Sequence, residues 1–152
     1  MTRSPVRSRE RRQAVRLPDD ACPKCGTMMR ERRSTLTMPV NGEVVRVPNS
    51  SHLHCPQCGE IILRFDEAGD LERRGFELYR ARHHLLGADD IRALRRQLGL
   101  SQAELARILR LGSNTISRWE AGRNVQSAAM DVLLRLIRDV PETLKFLRRH
   151  AA

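Results

Sequence analysis

Four cysteines stand in two matched stretches, Cys22-Pro23-Lys24-Cys25-Gly26 and Cys55-Pro56-Gln57-Cys58-Gly59. The C-x-x-C spacing lets two thiolates converge on one ion, and the glycine after each pair permits a tight knuckle turn whose N–H groups face sulfur. Two knuckles supply four soft ligands in a tetrahedron, which suits one structural Zn2+ per chain; a four-thiolate iron–sulfur centre is the other metal chemistry open to them. Four thiolates leave no coordination position for an activated water. His52 and His54, just ahead of Cys55, are candidates to replace a ligand, or else to sit beside the metal or on the surface. A dithiol redox pair is a further reading of C-x-x-C, but two matched pairs argue for metal.

A second group of chemistry-bearing residues lies further along: Ser113, Asn114, Thr115, Ser117 and Arg118, interleaved with Ile116 and Trp119. In the major groove of DNA, Asn pairs two-pronged with adenine and Arg with guanine. Ile116 and Trp119 are three apart, so on a helix they anchor one face and leave the polar set on the other. Asn114 and Arg118, four apart, project from one face. Arg107, Arg110 and Arg123 flank the segment and are candidates for phosphate contact. The plainer alternative is a structural helical bundle whose polar face is merely solvated.

These side chains need elements to position them. Gly87-Ala88-Asp89-Asp90 opens a helix, with Gly87 as cap and both Asp in the positive first turn. Ile91, Leu94 and Leu98 form its inward stripe, and Gly99 stops it. Ser101 caps a second helix, and Glu104 three residues on completes a capping box. Its core candidates are Leu105, Ala106 and Leu109, with Ala106 small enough for close helix contact. After a break at Arg110-Leu111-Gly112 a third helix is expected from about Ser113 to Ala121, ended by Gly122. Two short helices across a short break, after a supporting helix, make a helix-turn-helix with Ala106, Ile116 and Trp119 in its core. Ser127–Arg138 adds a helix with Met130, Leu133, Leu134 and Ile137 on one stripe, and Pro141 starts a segment carrying Leu144 and Leu147. That apolar excess either completes the monomer core or contributes a two-fold contact.

The cysteine-bearing half reads differently. Arg33–Val40 and Glu43–Val47 alternate apolar and polar around Asn41-Gly42, the dipeptide that tolerates positive φ at both centres of a tight hairpin. Glu60–Phe65 is expected as a third strand. Residues 70–82 are expected as a helix, with Leu71, Leu78 and Phe76 inward and Arg73, Arg74, Arg80 and Arg82 charging the other faces.

The 152 residues carry 28 Lys+Arg against 18 Asp+Glu, a formal net charge of +10, and are only 3% aromatic. That length excludes a full doubly wound sheet, and the thin aromatic content favours two small units over one large core. The charge points to a polyanionic partner, nucleic acid before an acidic membrane. All basic residues except Lys24 and Lys145 are Arg, a bias that genome composition also produces. No run of about 20 apolar residues is present, and no secretory signal is recognised. A cytoplasmic protein without a membrane partner is therefore expected, in which paired cysteines mean metal more than disulfides. Residues 1–19 hold six Arg and two acidic residues and read as a disordered basic arm, inert or touching nucleic acid. Residues 20–69 are charge-neutral and read as the zinc-binding β domain. Residues 70–87 read as connecting helix and linker, and 88–150 as the DNA-binding domain. A nuclease is disfavoured because no carboxylate–histidine set surrounds an open metal position.

The stretch Leu100-Ser101-Gln102-Ala103-Glu104-Leu105-Ala106 through Ile116-Ser117-Arg118-Trp119-Glu120-Ala121-Gly122 resembles the Xre/Cro-type repressors. Its order after the two C-P-x-C-G knuckles and a connecting Glu72–His83 segment resembles the MqsA (YgiT-type) antitoxin family over residues 20–150. The resemblance implies an α+β two-domain fold, a zinc-braced β-hairpin domain followed by an all-α lambda-repressor-like helix-turn-helix domain. It implies a homodimer through the C-terminal domains that binds a palindromic operator and represses its own operon. It further implies a cognate toxin, an RNA-cleaving enzyme of the MqsR kind, bound by the zinc domain. The metal ligands of the family fall on Cys22, Cys25, Cys55 and Cys58, and its base-reading residues on Asn114 and Arg118. Gln102 matches a position that approaches the phosphate backbone, with Ser113, Thr115 and Ser117 flanking. A solitary zinc-containing Xre-type transcriptional regulator without a toxin shares all these features and is the alternative.

Overall fold

The computed structural model describes residues 20–150; the basic arm expected over 1–19 lies outside the described residues. Three antiparallel strands, β1 (Arg30–Val40), β2 (Glu43–His54) and β3 (Ile61–Ile62), form a sheet in that order. Six helices follow: α1 (Phe65–Arg82), α2 (Ala88–Gln97), α3 (Gln102–Ile108), α4 (Thr115–Glu120), α5 (Ala128–Asp139) and α6 (Pro141–His150). A small β-sheet domain holding the cysteines thus precedes an all-α domain. Among the described residues, no helix is long and apolar enough to cross a membrane.

The hairpin turns at Asn41 and Gly42, with φ of 48° and 85°, and its strands run well beyond the expected lengths. β1 starts at Arg30 and β2 continues to His54. The alternation is hidden because β2 is bulged: Ser34 pairs with Ser50 but Leu36 with Val47, leaving Pro48 and Asn49 opposite Thr35. A bulge inserts one residue and reverses which positions face inward. Val45 and Val47 are buried before it, Ser50 and His52 after it. The third strand is shorter than the expected Glu60–Phe65, only Ile61–Ile62 pairing with Leu53 and His54. At Arg64 the chain already enters a helix: the Arg64 N–H donates to Glu67 Oε2 at 2.8 Å, and Asp66 and Glu67 occupy the positive first turn.

Helix α1 therefore begins five residues before the expected start at 70 and packs on the sheet. Its inward line is Leu71, Gly75 and Tyr79, spaced by four, while Leu78, expected inside, is 40% exposed. Gly75 allows the close approach: a Cβ there would run into Met38 Sδ. Leu71 and Tyr79 join Val40, Val45 and Val47 in one apolar cluster, with Leu36, Met38 and Phe76 against it. Arg80, expected on a charged outer face, is instead buried at 3% exposure.

The helical domain follows its caps. Gly87 precedes α2, Ser101 Oγ accepts from the Glu104 N–H, and the Glu104 carboxylate accepts from the Ser101 N–H at 2.7 Å. Gly99 and Gly122, with φ of 64° and 68°, end α2 and follow α4 in the left-handed region that glycine tolerates. Ile91, Leu94, Leu105, Ala106, Ile108, Leu109, Ile116, Trp119, Leu134 and Ile137 are buried together. Met130, Leu133, Leu144 and Leu147 lie half-buried against them, so the α5–α6 stripe does serve the monomer core. Helix α4 is shorter than the expected Ser113–Ala121, running from Thr115 to Glu120.

Candidate metal centre and nucleic-acid interface

The two knuckles superpose in kind. The Gly26 N–H donates to Cys22 O at 2.8 Å and the Gly59 N–H to Cys55 O at 3.0 Å. Closing bonds run from the Cys22 N–H to Thr27 O at 2.9 Å and from the Cys55 N–H to Glu60 O at 2.8 Å. Both glycines sit at positive φ, 75° and 76°, where a side chain would be strained. The second knuckle follows β2 directly and β3 returns from it, while a bridge between Ala21 and Met28 closes the first.

All four Sγ atoms lie within 4.8 Å of one another. Cys22–Cys58 and Cys25–Cys55 are separated by 3.5 Å, and Cys25–Cys58 by 3.7 Å. A tetrahedron with Zn–S bonds of about 2.3 Å has edges of roughly 3.8 Å, so the cluster has the dimensions of a four-thiolate zinc site. Hydrogen bonds from Thr27, with help from Cys55, pull Cys25 down to about 6. The Glu60 backbone also favours the Cys58 thiolate, but partial desolvation at the crowded sulfurs and hydrogen bonds with the other three cysteines outweigh it and push Cys58 up to about 12. Four crowded sulfurs share protons when alone; a central dication would hold all four as thiolates. Cys22 and Cys55 are buried with Met29 and Leu53, whereas Cys25 and Cys58 are exposed. That small core leaves most of the knuckles' cohesion to a structural ion, and with four protein ligands such an ion supplies bracing, not catalysis. His52 is no ligand: its ring is buried and its Nδ1 lies 3.0 Å from Ser50 O. Among the described residues the metal-ligating cluster contains the four cysteines and neither His52 nor His54.

In the helical domain, Ile116 and Trp119 bury the inner face of α4 and leave Ser113, Asn114 and Arg118 exposed, with Thr115 and Ser117 half-buried. Asn114 immediately precedes the helix; its carbonyl accepts from the Arg118 N–H at 3.1 Å and from Ser117 Oγ at 2.9 Å. Its side chain makes no capping bond. Arg107 and Arg123 are exposed beside α4, and Arg110 is exposed at φ 54° with Nη2 donating to His150 O. Among the described residues Arg107, Arg118 and Arg123 form no ion pair, whereas Arg92, Arg95, Arg135 and Arg138 are all paired with carboxylates. Gln102 is half-buried, and its Nε2 donates to Glu120 Oε2 at 2.8 Å.

That bond belongs to a network absent from the sequence reading. Glu120, 3% exposed, accepts from Arg95 Nε at 2.6 Å and from Arg95 Nη2 at 2.9 Å. Burial works to raise its pKa, but the Arg95 and Gln102 hydrogen bonds and the Arg92 charge hold it below the ordinary carboxylate value. Asp131 is held low in the same way against its burial, by Arg135, the Leu86 N–H and Gln126. These pairs lock α2, α3 and α4 together, and α5 to the loop before α2. Only the local turn chemistry of α3 was visible in the one-dimensional pattern; Glu120 and Asp131 look like ordinary surface charges until the fold brings Arg95 and Gln126 to them.

The family described as the antitoxin component of bacterial toxin-antitoxin systems, MqsA, matches residues 20–148, from just before the first knuckle through α6. The chain belongs to the MqsA antitoxin family. Antitoxin HigA-2 of Vibrio cholerae serotype O1 (strain ATCC 39315 / El Tor Inaba N16961) is 36% identical over 62 residues, 41% of this chain. The match covers 60% of the length of HigA-2. Both matches support an antitoxin role in general terms for this MqsA-family chain, whose C-terminal region is helix-turn-helix-like. A nuclease reading is set aside by that membership.

Proposed function

We propose that this antitoxin binds and neutralises a cognate RNA-cleaving toxin through its zinc-braced domain, residues 20–69. In the same reading, residues 88–150 repress its own operon by binding a palindromic operator as a C-terminal homodimer, with 70–87 as connection. The observation that carries the DNA half is the face of α4: Asn114 and Arg118 exposed one turn apart, at a helix fixed by Ile116 and Trp119 and flanked by exposed Arg107 and Arg123. Asn114 and Arg118 are the base readers; Arg107, Arg110, Arg123, Gln102, Ser113, Thr115 and Ser117 serve the backbone and flanks. Gln102 reaches a phosphate only from the position its bond to Glu120 fixes. Exposed Val132, Leu136 and Val140 offer a two-fold contact, which would set two reading helices ~34–36 Å apart. For the toxin, β1 is an edge strand eleven residues long whose outer side is open to pairing with another sheet.

The test is a mobility-shift series with the promoter segment immediately upstream of the chain's own gene and a scrambled control. Asn114→Ala or Arg118→Ala should cost ~1–3 kcal/mol per lost base contact and erase the preference between the two DNAs. Arg107→Ala or Arg123→Ala should weaken both DNAs alike and flatten the salt dependence. Wild-type binding by the first pair of variants would remove α4 as the reading face.

A further inference from the structure

Among the described residues, Arg80 is a buried cation with no carboxylate within ion-pair distance, Glu77 acting on it only from further off. It is 3% exposed, its Nη1 has no hydrogen-bond partner, and burial pushes its pKa down. Such a group is costly to keep inside unless its remaining bonds hold something in place. Its Nη2 donates to two carbonyls, Trp119 O at 3.1 Å and Asn124 O at 2.7 Å, and its Nε lies 3.5 Å from Gln126 Oε1. Trp119 is in the last turn of α4, where a helix end favours a cation, and its carbonyl accepts from the Gly122 N–H at 3.1 Å as well as from Arg80. A six-residue helix has little stability of its own, so its placement comes from what it touches. An apolar contact lies beside these polar ones. Val125, in the loop after α4, is buried in the apolar cluster of Val40, Val45, Val47, Leu71 and Tyr79, which is the core between the sheet and α1.

We infer that Arg80 and Val125 are positioning residues for DNA reading: they make the placement of α4 depend on the cysteine-braced sheet domain. The path is continuous. The second knuckle continues β2, β2 carries Val45 and Val47, these pack on α1, and α1 presents Arg80 to the end of α4 while the same core holds Val125. Losing the metal loosens the sheet, and α4 then loses both holds. The inference rests on the operator-binding reading for its consequence, but the coupling itself has a readout that needs no DNA. Trp119 is the only tryptophan in the chain, and Arg80 is bonded to its carbonyl.

The experiment uses the full-length zinc-loaded chain, reduced, with Trp119 emission and binding to the upstream promoter segment and scrambled DNA as readouts. In Arg80→Met and Val125→Ala the preference for promoter over scrambled DNA should fall at least fivefold while zinc content and helical circular dichroism stay at wild-type values. A merely structural role would not lower that ratio in a folded protein. Stripping zinc from the wild type with a high-affinity chelator should shift Trp119 emission and reproduce the lost preference. Should Arg80→Met fail to fold, Val125→Ala and the stripped wild type carry the test. Unchanged emission and unchanged preference in both would overturn the coupling. Emission that follows zinc in a protein that retains no promoter DNA would uphold the coupling and overturn the operator reading instead.

Discussion

Replacing Glu120 by Ala removes the buried acceptor at the centre of the helical domain. Arg95, whose side chain is 13% exposed, would keep only the bond from Nη1 to Leu100 O at 2.9 Å and would lose both bonds to Glu120. Gln102 would lose its partner as well. Breaking a buried pair by deleting one side costs about 3–5 kcal/mol, because the other charge stays behind; the slight exposure of Arg95 places this case near ~3 kcal/mol. With a urea m-value of ~1.5 kcal/mol/M the midpoint should fall by ~2 M. Equilibrium unfolding followed by Trp119 emission and circular dichroism measures it. The pair also sets an acid limit. Glu120 is held below its unfolded pKa, so its contribution is full above that value, near pH 4.5, and is lost as pH falls through the lower folded value. The Glu120→Ala variant should therefore lose less stability on acidification than the wild type. Removing both members, as Arg95→Met with Glu120→Leu, should cost less than Glu120→Ala alone. A midpoint shift under ~0.5 M for Glu120→Ala would refute the reasoning, since a solvated surface charge behaves that way.

Native mass spectrometry with elemental analysis should find one zinc per chain, and Cys55→Ser should lose it and unfold the sheet, seen as loss of β signal in circular dichroism; a folded, metal-free reduced wild type would contradict the bracing role. The two glycines inside α1 should respond with opposite signs. Gly69→Ala meets nothing within 4 Å and should raise stability by ~0.5–1 kcal/mol through helix propensity. Gly75→Ala drives a methyl into Met38 and should lower stability by roughly 1 kcal/mol net of the same gain; equal shifts in thermal melting would disprove the close approach.

The parts of this molecule that the sequence announces are those whose chemistry is local. A knuckle is five consecutive residues, and a capping box is four, so Cys22–Gly26, Cys55–Gly59 and Ser101–Glu104 are readable without knowing any partner. The apolar spacing of Ile116 and Trp119 likewise shows which face of α4 is buried. The β2 extension was hidden because the bulge at Pro48 and Asn49 switches the inward phase, so Ser50 and His52 continue a strand whose alternation breaks after Val47. Helix α1 gave a misleading stripe for a different reason: its closest contact to the sheet is through Gly75, which carries no hydrophobic signal, and Leu78 looked a better core residue than it is. Arg80, Glu120, Gln126 and Asp131 were invisible as buried groups because the partners that enclose them lie up to 46 residues away. A charged residue reads as surface until tertiary structure supplies its counterpart.

The central claim, direct neutralisation of a toxin by this antitoxin, is tested most directly in cells. The gene next to the one encoding this chain is induced alone, then with the full-length chain, with an Asn114→Ala/Arg118→Ala version, and with Cys55→Ser. The full-length form is required because α1 and Val125 complete the core of the sheet domain. The account predicts growth arrest on inducing the neighbour, rescue by the wild type and equally by the DNA-blind double variant, and no rescue by Cys55→Ser. A harmless neighbour, or rescue that vanishes with Asn114 and Arg118, would contradict it and leave a solitary regulator in its place.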